Sequence, residues 1–436
     1  MQFSPIFGTR KTTSTGDESS SDGLPRRVKR KVKRKRGRKF DFGREVIRDK
    51  TIDQVVSFSK NLGQGQFGRV LLGVCKKTNM RVAYKEMKIV RDTPSNVEKI
   101  ANEINVMRKV NTLRSENLVR LISVVERPQL IYIIMEALDG GELFYRIQQK
   151  NEQKTKYSES DAANFLNVIA GAVKCLHDSD IVHRDLKPEN LIFRTNAEDS
   201  NLVIIDFGLA WDMGTGGSDP YARRAVGTPG YLAPEFIQAH KESFRVTKAC
   251  DIFSLGVILY ILLVGFPPFT LSTYKSNKSR AIATAKMYKN MLNEKYEFNK
   301  WGWRYISSEA KNLVKSMLRG NPEDRPSIDQ VLSHRWIVAR NRERRNRRVL
   351  NNTIKQIRKF NVCRKWRKAV RAIVMMNRLQ SLISSEPSSS SRRSSFDEEE
   401  DHEISLSSSS SSAAAAALST KTTTTKKKMK KRQRFE

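Results

Sequence analysis

The stretch Ile181-Val182-His183-Arg184-Asp185-Leu186-Lys187-Pro188-Glu189-Asn190 limits what this chain can fold into more than any other. An aspartate can accept the proton of an attacking hydroxyl, and an asparagine oxygen can ligate Mg²⁺. Asp185 and Asn190 hold those two roles at fixed spacing, with Lys187 between them. A ten-residue pattern alone can arise by chance, so its neighbours along the chain decide its meaning.

Strand-like patterning begins near Phe58 and runs into Leu62-Gly63-Gln64-Gly65-Gln66-Phe67-Gly68-Arg69-Val70. Glycines let backbone N–H groups come close to phosphates. A lone G-x-G-x-x-G also serves dinucleotide folds. Here an apolar strand, Val70–Val74, follows where those folds need a helix, and no G-K-[ST] is present. A plain hairpin turn is the competing reading. The next strand carries Val82-Ala83-Tyr84-Lys85, whose lysine is a point charge for phosphates and needs a carboxylate to hold it. The helical segment Asn96–Val110 offers Glu98 and Glu103. Glu103 lies among Ile104, Val106 and Met107 and is preferred, whereas Glu98 reads as a solvated helix charge. Leu130–Glu136 is an apolar strand leading into a loop, with Met135, Glu136 and Leu138 placed to meet a base; a plain buried strand and turn fits the same pattern. Glu142 then opens a helix, where a carboxylate also suits the dipole.

A short buried strand, Leu202–Ile205, ends in Asp206-Phe207-Gly208, and a carboxylate there can chelate Mg²⁺. Gly227-Thr228-Pro229-Gly230-Tyr231-Leu232-Ala233-Pro234-Glu235 follows. Asp41-Phe42-Gly43 copies the metal motif but precedes the glycine loop, and is read as coincidence.

In order and spacing these motifs resemble the eukaryotic protein kinases over about residues 58–337. The resemblance implies an α+β, bilobal fold, with a small β-rich N-lobe and a larger helical C-lobe. It implies ATP and Mg²⁺, with Asp185 and Lys187 catalytic and Asn190 and Asp206 on the metal. It places Leu62, Gly63, Gly65, Gly68, Val70, Ala83, Lys85, Glu103, Glu136, Leu138 and Glu142 around ATP. Lys187 and Thr228 follow the Ser/Thr-specific form. Arg325 is expected to pair with Glu235, Asp251 to brace the catalytic loop, and His183 to pack in the core. Gly140-Gly141-Glu142-Leu143-Phe144 and His334-Arg335-Trp336-Ile337 resemble the calmodulin-dependent group, in which Glu142 and Glu189 would meet basic residues of a substrate. Two features depart from that group. Thr270–Asn290 is long and rich in Lys, Ser and Asn, and reads as a surface loop or a docking element. Thr215, Ser218 and Tyr221 form no obvious activating phosphosite.

Charge sits at the ends of the domain. Of the net +35, roughly +10 lies in residues 1–39, roughly +14 in 338–378 and roughly +7 in 421–436. That distribution does not favour a nucleic-acid binder. Arg26–Lys39 reads as a solvated run, a nuclear-import signal or an anionic-surface contact. In the basic segment 341–380, Trp366, Val370, Ile373 and Leu379 stand at relative positions 1, 5, 8 and 14. As a helix their ends are about 20 Å apart, a span that two Met-rich lobes can grip. This is the form of a Ca²⁺–calmodulin target; a basic helix lying on a membrane or on RNA is the competing reading. The tail resembles that of myosin light-chain kinases, which implies a regulatory light chain as substrate; a death-associated or other calmodulin-dependent kinase with a different substrate, or a kinase-fold scaffold, is the alternative.

The expected organisation is a disordered basic extension over 1–50, the kinase domain over 58–337, an autoinhibitory and calmodulin-binding segment over 338–383, and a disordered low-complexity tail over 384–436. Cys75, Cys175, Cys250 and Cys363 form no C-x-x-C pair, which fits a reducing compartment. No apolar run is long enough to span a bilayer, so a cytoplasmic protein, with cytoskeletal association or nuclear import open, is expected.

Overall fold

A computed structural model describes residues 46–366, apart from 66–67, 91–92, 153–155, 216–225, 239–244, 271–276, 299–300, 340–348 and 351. Arg26–Lys39, Asp41–Gly43, Ser218, Tyr221, Val370, Ile373, Leu379 and the 384–436 tail lie outside the described residues.

The first lobe is a six-stranded sheet built from β1 (Val46–Ile47), β2 (Val56–Gly65), β3 (Gly68–Cys75), β4 (Arg81–Lys88), β5 (Leu121–Glu126) and β6 (Leu130–Glu136), in the order β1-β5-β6-β4-β3-β2. Antiparallel pairing joins every neighbour except β1, which lies parallel to β5. One short helix, α1 (Ile52–Val55), precedes β2, and α2 (Pro94–Thr112) supplies Glu103. Strand alternation sends Val46 into the main core with Val97, Ile100 and Ile104 of α2, while Ile47, Ile52 and Val55 pack on a second cluster around Tyr84, Val125 and Tyr132. The stretch 46–50, expected to belong to a disordered extension, therefore begins the sheet. Two β-branched residues with opposite facings are enough to do so, but are too short a run to stand out in a sequence.

The second part is helical. It contains α3 (Leu143–Glu152), α4 (Glu159–Asp178), α5 (Ala249–Val264), α6 (Asn277–Leu292), α7 (Ser308–Met317), α8 (Ile328–Ser333) and α9 (Arg335–Val338). Between α4 and α5 run the short strands β7 (Ile181–Val182), β8 (Leu191–Phe193), β9 (Leu202–Ile204) and β10 (Trp211–Asp212), paired as β8–β9 and β7–β10. Helix α4 starts on a capping box, with Asp161 N–H donating to Ser158 Oγ and Ser158 N–H to the Asp161 carboxylate. Helix α5 is apolar all round and buried along nearly its whole length, as a central helix must be. It holds Asp251 rigidly beneath the catalytic loop.

Thr270–Asn290 is not simply a loop, because 277–292 is helical. Ala283, Met287 and Met291 are buried at a spacing of four, giving the segment a helical core face despite its polar composition.

Residues 352–366 form the last helix among the described residues, α10. Its face Thr353, Ile354, Ile357, Asn361 and Arg364 is buried, while Val362 and Trp366 are exposed. Thr353 Oγ1 donates to the Leu263 carbonyl at 2.6 Å, and Asn361 Nδ2 to the Phe144 carbonyl at 3.1 Å. Gly265 lets α10 come this close: a Cβ there would lie 2.4 Å from the Thr353 oxygen and 2.9 Å from Ile357 N.

Candidate active site

Helix α2 brings Glu103 across to β4, where Lys85 Nζ donates to Glu103 Oε1 at 2.6 Å and to Asp206 Oδ1 at 3.3 Å. Lys85 and Glu103 are almost fully buried. Burial alone would lower the Lys85 ammonium, but the Glu103 and Asp206 carboxylates outweigh it and raise its pKa. Burial would likewise raise the Asp206 carboxyl, and Lys85, Lys187 and His183 hold it below the ordinary range. The site therefore holds the Lys85 ammonium and the Asp206 carboxylate side by side, an arrangement that suits a metal-complexed polyphosphate.

The catalytic loop follows β7. Asp185 Oδ1 accepts from Thr228 Oγ1 at 2.7 Å, and Oδ2 accepts from Lys187 Nζ. Lys187 Nζ also reaches Thr228 Oγ1 at 3.0 Å. Asn190 Nδ2 donates to the Asp185 carbonyl at 2.8 Å, which leaves its Oδ1 as the acceptor for a cation. Below them, Asp251 takes the His183 and Arg184 amide N–H groups, each at 2.9 Å, and the His177 ring at 2.9 Å. Burial pushes the Asp251 carboxyl up, yet the His177 ring and the His183 backbone hold it below the ordinary aspartate range. His183 itself is fully buried against Phe207, with ring centroids 5.3 Å apart. Arg184 and Asp206 both have φ +65, a left-handed conformation costly for residues with side chains, and both flank the reacting centre. Arg325 meets Glu235 through two bonds of 2.8 and 2.7 Å.

A cavity of about 340 Å³ lies among these groups, walled by residues of the glycine-rich hairpin, the β6 exit and the metal loop. Leu62, Gly63, Gly68, Val70, Ala83, Lys85, Glu103, Glu136, Leu138, Asn190 and Asp206 all line it. Gly65, also assigned to ATP from the sequence, belongs to β2 and pairs with Gly68. Glu142, assigned from the sequence to ATP and to the substrate, is not in the lining, and its carboxylate accepts from Arg364 Nη2. The physical reason is that Glu142 opens α3 beside the docked α10, so a counter-charge from the same chain takes its carboxylate. Glu189 meets the same arginine, accepting from Arg364 Nε at 2.9 Å.

Sequence reasoning did not single out several cavity residues. Met107, one turn after Glu103 on α2, and Ile192, two residues after Asn190, were legible from helix and strand periodicity. Val119 and Ile205 arrive by loop geometry that no local pattern reveals. Arg364 looks like any other cation of a basic tail. Among the described residues, no cluster of three or more acidic, His or Cys side chains forms a free-standing metal site. Asp206 and Asn190 instead suit a cation carried in with phosphates.

Fold and site together define a protein kinase. The protein kinase domain model matches residues 56–337, and the chain belongs to that family. It is 34% identical to "Calcium/calmodulin-dependent protein kinase type 1" of Caenorhabditis elegans over 78% of this chain and 89% of that protein. It is 35% identical to "Calcium/calmodulin-dependent protein kinase type 1B" of Homo sapiens over 76% of this chain and 88% of that protein. The molecule is a serine/threonine protein kinase similar to the calmodulin-dependent kinases. No described helix is long and apolar enough to cross a membrane.

Proposed function

We propose that this chain is a Ca²⁺/calmodulin-regulated kinase that passes the ATP γ-phosphoryl group to Ser or Thr in a basic protein motif, and that its own C-terminal helix holds it off until calmodulin binds. The single observation that carries this reading is Arg364. Its guanidinium is buried between Glu142 and Glu189, the two carboxylates expected to take a basic residue of the substrate. The helix that carries it leaves Trp366 68% exposed, so a partner can reach this anchor while Arg364 is docked. Relatives named for calmodulin dependence support the same partner.

Each residue then has a task. Lys85, held by Glu103, orients the α- and β-phosphates. Asp206 and the Asn190 oxygen would hold Mg²⁺, which when bound neutralises phosphate charge. Asp185 orients the substrate hydroxyl and accepts its proton, and Lys187 stabilises charge on the moving phosphoryl group. Thr228, bonded to both Asp185 and Lys187, holds the two side chains together.

The basic tail around Trp366 favours a myosin regulatory light chain as substrate. The similarity to type 1 kinases favours a different basic-motif protein. One assay separates the readings: phosphate transfer to a light-chain peptide and to an unrelated peptide of the same charge spacing, each with and without Ca²⁺–calmodulin. Selective transfer to the first supports the light chain, and equal transfer supports the broader substrate. Transfer indifferent to Ca²⁺–calmodulin would remove the regulatory reading.

A further inference from the structure

One cation near the cleft belongs to none of the roles above. Arg194 follows β8, two residues after the cavity-lining Ile192. Its Nη1 donates to the Glu136 carboxylate, and its Nη2 donates to the Glu116 carbonyl at 2.7 Å. Glu136 ends β6 and lines the cavity. Glu116 lies in the turn that carries the chain from α2 to β5. A single guanidinium on the helical side therefore grips two separate points of the first lobe.

Both points are fastened from other directions as well. Glu136 Oε1 accepts from Arg120 N–H at 3.0 Å, and Glu136 N–H donates to the Arg120 carbonyl at 3.1 Å. Glu116 Oε2 accepts from Asn201 Nδ2 at 2.9 Å, while Arg194 N–H donates to the Asn201 carbonyl at 2.9 Å. The Arg194 carbonyl accepts from Asp139 N–H at 3.1 Å, just past Leu138. The Arg194 and Glu136 side chains are 24% and 17% exposed, so the pair is screened less than a surface ion pair. A planar fork can serve a carboxylate and a carbonyl at once, which a lysine cannot.

We infer that Arg194 is a positioning residue for nucleotide recognition. It immobilises the interlobe segment 136–139, so that the backbone groups of Glu136 and Leu138 are already in place when the base arrives. Without it, the Glu136 carboxylate keeps only the Arg120 amide, the segment is held by its backbone bonds alone, and the base bears more of the cost of ordering it. The reacting groups Asp185 and Lys187 touch none of these atoms, so the effect falls on nucleotide affinity rather than on transfer. The inference rests on the cavity being the ATP site.

The test uses the full chain with Ca²⁺–calmodulin present throughout, and two nucleotides: ATP, and purine riboside triphosphate, which lacks the 6-amino group. For Arg194→Met, KM for ATP is expected to rise about fivefold, the net size of one ordinary hydrogen bond, with kcat within about twofold. The preference for ATP over the amino-free nucleotide should fall by a similar factor, a change that a general loss of stability would not produce. Arg194→Lys should lie between the two proteins. Should Arg194→Met fail to fold, Glu136→Gln removes the same ion pair while keeping an acceptor for Arg120 N–H, and the same nucleotide shift is expected. An unchanged preference between the nucleotides, or a fall in kcat at constant KM, overturns the inference. Absence of nucleotide binding in the unaltered protein would instead overturn the identification of the cavity.

Discussion

Arg364 donates its Nε–H to Glu189 across 2.9 Å, although the two residues are 175 positions apart in the chain. Its other terminus meets Glu142. Burial would lower the guanidinium pKa, but Glu189 and Glu142 raise it, so the charge is held by a matched acidic pair. Under the proposed function, a substrate arginine would compete for that same pair.

Replacing Arg364 by Ala should therefore raise activity in the absence of calmodulin by about tenfold or more, since a partly buried charge pair is worth a few kcal/mol. Ending the chain after Ile337 should remove the dependence entirely. Initial rates on a basic peptide, with and without Ca²⁺–calmodulin, measure both. A truncated enzyme that still needs calmodulin would refute the docked-helix account.

The Asp185 carboxylate is in contact with both Lys187 and Thr228. In the proposed mechanism, Asp185→Asn keeps the shape but removes the proton acceptor. The transfer rate should fall on the order of 10³-fold, while nucleotide affinity, measured by direct binding, stays close to the original.

Asp251 supports the catalytic loop through two backbone amides and the His177 ring. Its carboxyl is held below the ordinary aspartate range, so it contributes stability above that range and loses it as pH falls through the folded value. Asp251→Asn should cost about 3 kcal/mol at neutral pH by leaving buried donors unmatched. Thermal melts across pH should show the gap between the two proteins closing only in acid, below the ordinary aspartate range. A gap that closes near neutrality would contradict this.

Residues 46–55 precede the family match at 56 yet complete the sheet and its outer cluster. A chain beginning at 56 should be less stable by about 3 kcal/mol, from the loss of several buried apolar side chains, while one beginning at 41 should match the full chain. Because Val46 shares a core with α2, the shorter chain should also lose activity. Melting temperatures and kcat for the two truncations decide the matter.

The kinase fold was legible in the sequence because its chemistry is concentrated in short motifs. The glycine hairpin, the Asp185–Asn190 loop and Asp206 each sit on one turn or strand end, and Lys85 lies within one apolar strand, where local rules suffice. Sequence could also pick Glu103 over Glu98, because helix periodicity put it on the apolar face. It could not say that Glu142 would leave the nucleotide cavity for an arginine 222 residues away. Nor could it tell that Val46–Ile47 would find a sheet edge, that Arg194 would grip the interlobe segment, or which tail cation would dock. Those outcomes depend on where loops and helices bring side chains in space. A charge is indifferent to sequence separation, and only the folded chain selects its partner.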